Sequence, residues 1–169
     1  MSLDVDVVTS AALLRALVRR QAETAAERYE ELAEALLVAN NLVGEGAFRE
    51  LAEGGWRFFD ALPPPATASG PLPRWGEMYP EISDPDSVHY LMPPYYAFEL
   101  ARRHEGKTLA LIQDVFDQSP LAEVRDAAAA LLELQRARHA AVEARRNDYP
   151  KPPHGWWEDE DGPNWESEF

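Results

Sequence analysis

Three observations predict an all-α fold, specifically a four-helix bundle. Apolar residues recur at three- and four-residue steps in four separate segments. No segment alternates apolar and polar residues as a half-buried strand would. A proline-rich stretch over residues 63–87 divides the four segments into two pairs, which is how a bundle with one long connection reads. The 169 residues fit one domain, and 46% hydrophobic residues with 10% aromatics supply a core that needs neither metal nor disulfide.

The first helix is expected over residues 10–43, with Ser10 as N-cap and Gly44 as its stop. The second, over 46–62, carries Phe48, Leu51, Gly55, Phe58 and Leu62 along one stripe. Its pair Gly54-Gly55 weakens it by about 1 kcal/mol per glycine relative to alanine. Repeated prolines forbid a helix across 63–87, while Trp75 and Tyr79 suit an ordered crossover between the second and third helices. The third helix is expected over 93–118 and the fourth over 120–147, with Ser119 as N-cap and Pro120 at the first position. Residues 1–149 then form the bundle. Residues 150–169 are rich in proline, acid and tryptophan and read as an extended tail.

Composition narrows the function. Sixteen Lys+Arg against thirty Asp+Glu leave a formal charge of −14, which repels phosphate backbones and anionic lipid surfaces, so nucleic acid and membrane are not expected partners. The absence of cysteine removes disulfides, thiolate metal sites and cysteine nucleophiles together. No basic leader with a following apolar run opens the chain, and a cytoplasmic location is expected. There is no glycine-rich phosphate loop, serine elbow or calcium loop.

Helical phase selects the polar residues that can face a core. In the third helix Glu105 shares a stripe with Ala101, Thr108 and Ile112; in the fourth, Gln135 and His139 share one with Val124, Leu131 and Val142. Tyr29 lies on the inward stripe of the first helix. Glu133 points the other way, and the many acids of the first helix fall mainly on a solvated face. His104 is placed toward the edge of its stripe, and His89 and His154 are assigned surface or packing roles. Two readings of the inward set stay open. Glu105 and His139 are metal ligands, or they form a buried hydrogen bond with Gln135 and Tyr29 satisfying the remaining donors and acceptors.

The stretch "EGKTLALIQDVFDQSPLAEVRDAAAALLELQRARH", from Glu105 to His139, resembles the ferritin-like superfamily, and within it the rubrerythrin-like branch. That resemblance implies a long crossover between the second and third helices and a di-iron site. The site is built from a Glu on each of two helices and a Glu-x-x-His pair on each of the other two. Arg136 stands where the pair would have its Glu, and Gly55 and Phe58 stand at the matching positions of the second helix. The resemblance therefore implies an incomplete centre with one carboxylate and one imidazole.

The tail is the other unusual feature. Trp156, Trp157, Trp165 and Phe169 are set among acids, a composition that suits recognition of a protein partner with a basic surface. The expected function is an accessory or interaction protein on a ferritin-like bundle that needs no cofactor. The alternative is a non-haem iron-binding protein or oxidoreductase holding iron or manganese at Glu105 and His139. A homodimer is expected by analogy with other such bundles.

Overall fold

The computed structural model describes residues 5–64, 72 and 88–157. After a short 3-10 turn at Val5–Val7 come α1 (Ala11–Val38), α2 (Leu42–Ala61), α3 (Pro94–Gln118) and α4 (Ala122–Asn147), with no strand among the described residues. No helix among the described residues is long and apolar enough to cross a membrane.

Ser10 starts α1 as expected: its backbone is extended and its hydroxyl accepts from the Leu13 amide at 3.1 Å. The helix stops at Val38, earlier than the expected residue 43. Asn40 adopts a left-handed φ of 58°, a conformation that asparagine tolerates better than most residues. The Asn41 side-chain oxygen then accepts from the Gly44 amide at 3.0 Å and caps α2. Two asparagines thus place the turn ahead of Gly44, which becomes part of the first turn of α2. In α3, Pro94 occupies the first position, where its missing N–H costs nothing. The cap of α4 shifts from Ser119 to Leu121; the Ser119 hydroxyl accepts from the Leu121 amide at 3.3 Å, and its carbonyl accepts from Arg125 at 2.7 Å.

The apolar core falls into two clusters, and their membership gives the direction of each helix. One joins Leu14 and Leu17 of α1 to Leu62 beyond the end of α2, Val115 near the end of α3 and Val124 near the start of α4. The other joins Leu36 near the end of α1 to Phe48 of early α2, Phe98 of early α3 and Val142 of late α4. Two antiparallel hairpins follow, α1–α2 and α3–α4, with α2 and α3 running the same way. The hairpins meet along α1 against α4 and α2 against α3. Each fully buried Leu or Phe contributes about 1.5–3 kcal/mol by leaving water.

Asn41 also joins the two hairpins. Its amide nitrogen donates to the Tyr90 and Met92 carbonyls, both at 2.9 Å, so the α1–α2 turn holds the residues leading into α3. Beyond α4 the chain turns back to this end of the bundle. Tyr149 stacks on Phe98 with centroids 5.7 Å apart, and Gly155, at φ 86°, turns Trp156 onto Tyr96 at 4.8 Å.

Candidate functional site

Between the two apolar clusters lies a layer of polar side chains contributed by α1, α3 and α4. Glu105 and Gln135, expected to face inward, are 5% and 1% exposed. They meet directly: the Gln135 amide nitrogen donates to one Glu105 carboxylate oxygen at 2.7 Å and to the Glu105 main-chain carbonyl at 3.3 Å. The other carboxylate oxygen accepts from Arg138 Nε at 3.2 Å, in an ion pair whose side chains are both almost entirely out of solvent. Arg138 also donates through Nη2 to the Leu51 carbonyl of α2 at 3.3 Å.

Glycines make room for this guanidinium. A Cβ built on Gly54 would stand 2.7 Å from Arg138 Nη1, and one on Gly55 would stand 3.1 Å from the Ala26 Cβ. The helix propensity that α2 gives up at these positions is matched by a seat for a buried cation and a close α1–α2 approach. Arg138 is the functional candidate that sequence reasoning missed. Its spacing from Gln135 by three residues, opposite a Gly-Gly pair, was the available signal.

His139 does not complete this set. Glu105 is bonded to Gln135 and Arg138 rather than to His139, whose ring is partly exposed and packs over Gly106, where a Cβ would sit 3.5 Å from Nε2. The reason is position on the helix. Arg138, one residue earlier, has the longer side chain and reaches the carboxylate first. His104, by contrast, is 4% exposed rather than at an edge, and the Gln21 amide nitrogen lies 3.3 Å from its Nε2. Thr108 donates its hydroxyl to the His104 carbonyl at 3.3 Å.

Tyr29 is fully buried as expected, its ring stacked at 6.3 Å on Phe48, and its hydroxyl has no hydrogen-bond partner among the described residues. Burial pushes its pKa well above the usual tyrosine value, the Glu105 charge adds to this, and Arg138 opposes it. The phenol is therefore neutral at any ordinary pH.

A second polar cluster closes the α3–α4 seam. Glu99 accepts from Arg102 at 2.9 Å, Arg103 at 2.9 Å and Arg146 at 2.7 Å. The Arg102 hydrogen bond is the largest influence, holding the carboxyl far below the usual range; burial opposes it, and Arg146 and Arg103 reinforce it.

Of the tail residues singled out, Trp156 is half-buried, stacked on Tyr96 and T-shaped against His89 with ring centroids 5.5 Å apart, and Trp157 is 41% exposed. Trp165 and Phe169 lie outside the described residues, as do Trp75 and Tyr79. Among the described residues no group of three or more His, Asp or Glu side chains is arranged to hold a metal ion. Comparison of the chain with protein-family models, curated proteins and solved structures finds no match.

Proposed function

We propose that the chain is an accessory or interaction protein on a ferritin-like bundle. In this reading an internal ion pair takes the place that metal has in the di-iron members of that superfamily. It recognises a protein partner with a basic surface through the end of the bundle where the tail returns. The observation that carries the reading is the engagement of both Glu105 carboxylate oxygens, one by Gln135 and one by Arg138. A cation placed beside Glu105 would meet the Arg138 guanidinium, and the donor set does not fit a carboxylate-bridged pair of irons. The parallel course of α2 and α3 supports the ferritin-like part, because consecutive helices joined by a short turn would run antiparallel instead.

Support for recognition comes from one end of the molecule. Leu37 (45%), Val38 (89%), Leu42 (61%) and Val43 (67%) are exposed in and around the α1–α2 turn. Asn41 ties this turn to Tyr90 and Met92, near which Trp156 and Trp157 are seated. Exposed apolar side chains gathered in this way mark interaction sites more often than scattered ones do. A net charge of −14 steers a basic partner toward them.

Two measurements test the two halves. Protein purified without an affinity tag should carry far less than one iron or manganese per chain, and its Tm should not move when either ion is added. A saturable rise in Tm with stoichiometric metal would favour the iron-binding alternative, in which Glu105 leaves its present partners for His139. For recognition, a chain ending at Tyr149 should keep its helical circular dichroism and lose a partner that the full chain captures from native extract, the capture weakening with salt. Equal capture by both chains would remove the role given to the tail.

A further inference from the structure

At the centre of the polar layer the four helices leave a small cavity, walled in part by Gln21, Gly55, Thr108, Glu105, Gln135 and Arg138. It admits the centre of a water molecule over about 10 Å³, room for about one water. Gln21 is 3% exposed; its amide nitrogen faces His104 Nε2 at 3.3 Å, while its amide oxygen is buried without a hydrogen-bond partner among the described residues. A buried carbonyl in that state loses its hydration and gains nothing in return.

We propose that this cavity is a binding site for one internal water molecule, which donates a hydrogen bond to the Gln21 amide oxygen and links α1 to the polar groups of α3 and α4. Electrostatics select a neutral guest. Glu105 and Arg138 stand in the same wall as an ion pair at 3.2 Å, so a cation would meet the guanidinium and an anion the carboxylate. Size selects a guest with few heavy atoms. The guest's remaining hydrogen-bonding capacity also has partners in the wall. The Thr108 hydroxyl spends its proton on the His104 carbonyl and keeps its lone pairs, and Arg138 carries donors beyond the Nε and Nη2 protons already used. A water with two to four such partners is a fixed part of a fold. This site does not depend on the partner-binding role proposed above.

Water-to-protein cross-relaxation on the full chain is the direct test. The Gln21 side-chain amide protons should show a contact with a water held longer than the protein's tumbling time. In Gln21→Met, which keeps the length of the side chain without an acceptor, one slowly exchanging water should disappear from water relaxation dispersion and Tm should fall. No long-lived water near Gln21, together with a higher Tm for Gln21→Met, would overturn the proposal by showing a dry cavity and an unpaired carbonyl. Saturable binding of manganese that Gln21→Met abolishes would overturn it in favour of a cation. Should the variant not fold, the cross-relaxation of the unaltered protein decides alone.

Discussion

Arg138 carries the energetics of the mid-bundle layer because it is a buried charge paired with another buried charge, Glu105. Removing one partner of such a pair costs about 3–5 kcal/mol, since the other is left uncompensated, whereas replacing both by apolar groups of similar volume is often neutral or stabilising. Urea denaturation of Arg138→Met should therefore show a loss of about 3–5 kcal/mol, and the double variant Glu105→Leu/Arg138→Met should recover most of it. His139→Ala, at a partly exposed ring packed over Gly106, should cost no more than about 0.5 kcal/mol. A large loss for His139→Ala with a small one for Arg138→Met would reverse the assignment. Helical phase was enough to place Glu105, Gln135 and Tyr29 inside. Arg138 was not legible in that way, because arginine is rarely buried and its seat depends on Gly54, which sequence shows only as a weak point in α2.

At the scale of elements, the turn between α1 and α2 is set by Asn40 and Asn41 rather than by the glycines that follow. Gly44 and Gly46 therefore have opposite roles two residues apart in α2. A Cβ on Gly44 would lie 2.7 Å from Leu36 Cδ1 and 2.8 Å from the Met92 carbonyl oxygen, a main-chain atom that cannot swing aside. A Cβ on Gly46 would meet nothing within 4 Å. Gly44→Ala should accordingly lose about 1–3 kcal/mol through overpacking, and Gly46→Ala should gain about 0.5–1 kcal/mol from helix propensity. Thermal melts of the two variants read the difference in sign. The four helices themselves were legible from the apolar period. The first boundary was not, because a glycine after an apolar run signals a stop equally well whether it lies beyond the helix or packs within the next one.

Across the whole molecule, net charge and the Glu99 cluster pull stability in opposite directions as pH falls. Approaching the sequence pI of about 4.6 relieves the self-repulsion of a chain at −14, which favours the compact state. Glu99 acts the other way. Its folded pKa is depressed by Arg102, Arg146 and Arg103, so its contribution is fully present above the ordinary glutamate pKa of about 4.3 and is lost as pH falls below it. Stability measured by chemical denaturation should thus rise or hold from pH 7 to about 5 and fall steeply below about 4. Glu99→Gln should be less stable at pH 7 and flatter over the acid range. An unchanged acid slope in that variant would mean that other carboxylates set it. The direction of α3 relative to α2 belongs to this scale as well. The apolar stripes could not reveal it, because a stripe looks the same whichever way its helix runs; the length of the proline-rich connection over 63–87 was the pointer to it.

The hairpin arrangement also fixes when each surface first finds cover. Contacts inside a hairpin join residues close in the chain, but those between hairpins are distant: Arg138 reaches the Leu51 carbonyl across 87 residues, and Arg145 reaches Glu50 across 95. Loop-closure entropy therefore places docking of the hairpins after the formation of each. During synthesis at about 5–20 residues per second, α1 and α2 emerge several seconds before α4 is complete. Through that interval the sides of Phe48 and Leu51 that the second hairpin will cover stay open to other chains. Pulse-labelled hydrogen exchange during refolding would show this order as early amide protection within each hairpin; simultaneous protection throughout the bundle would contradict it.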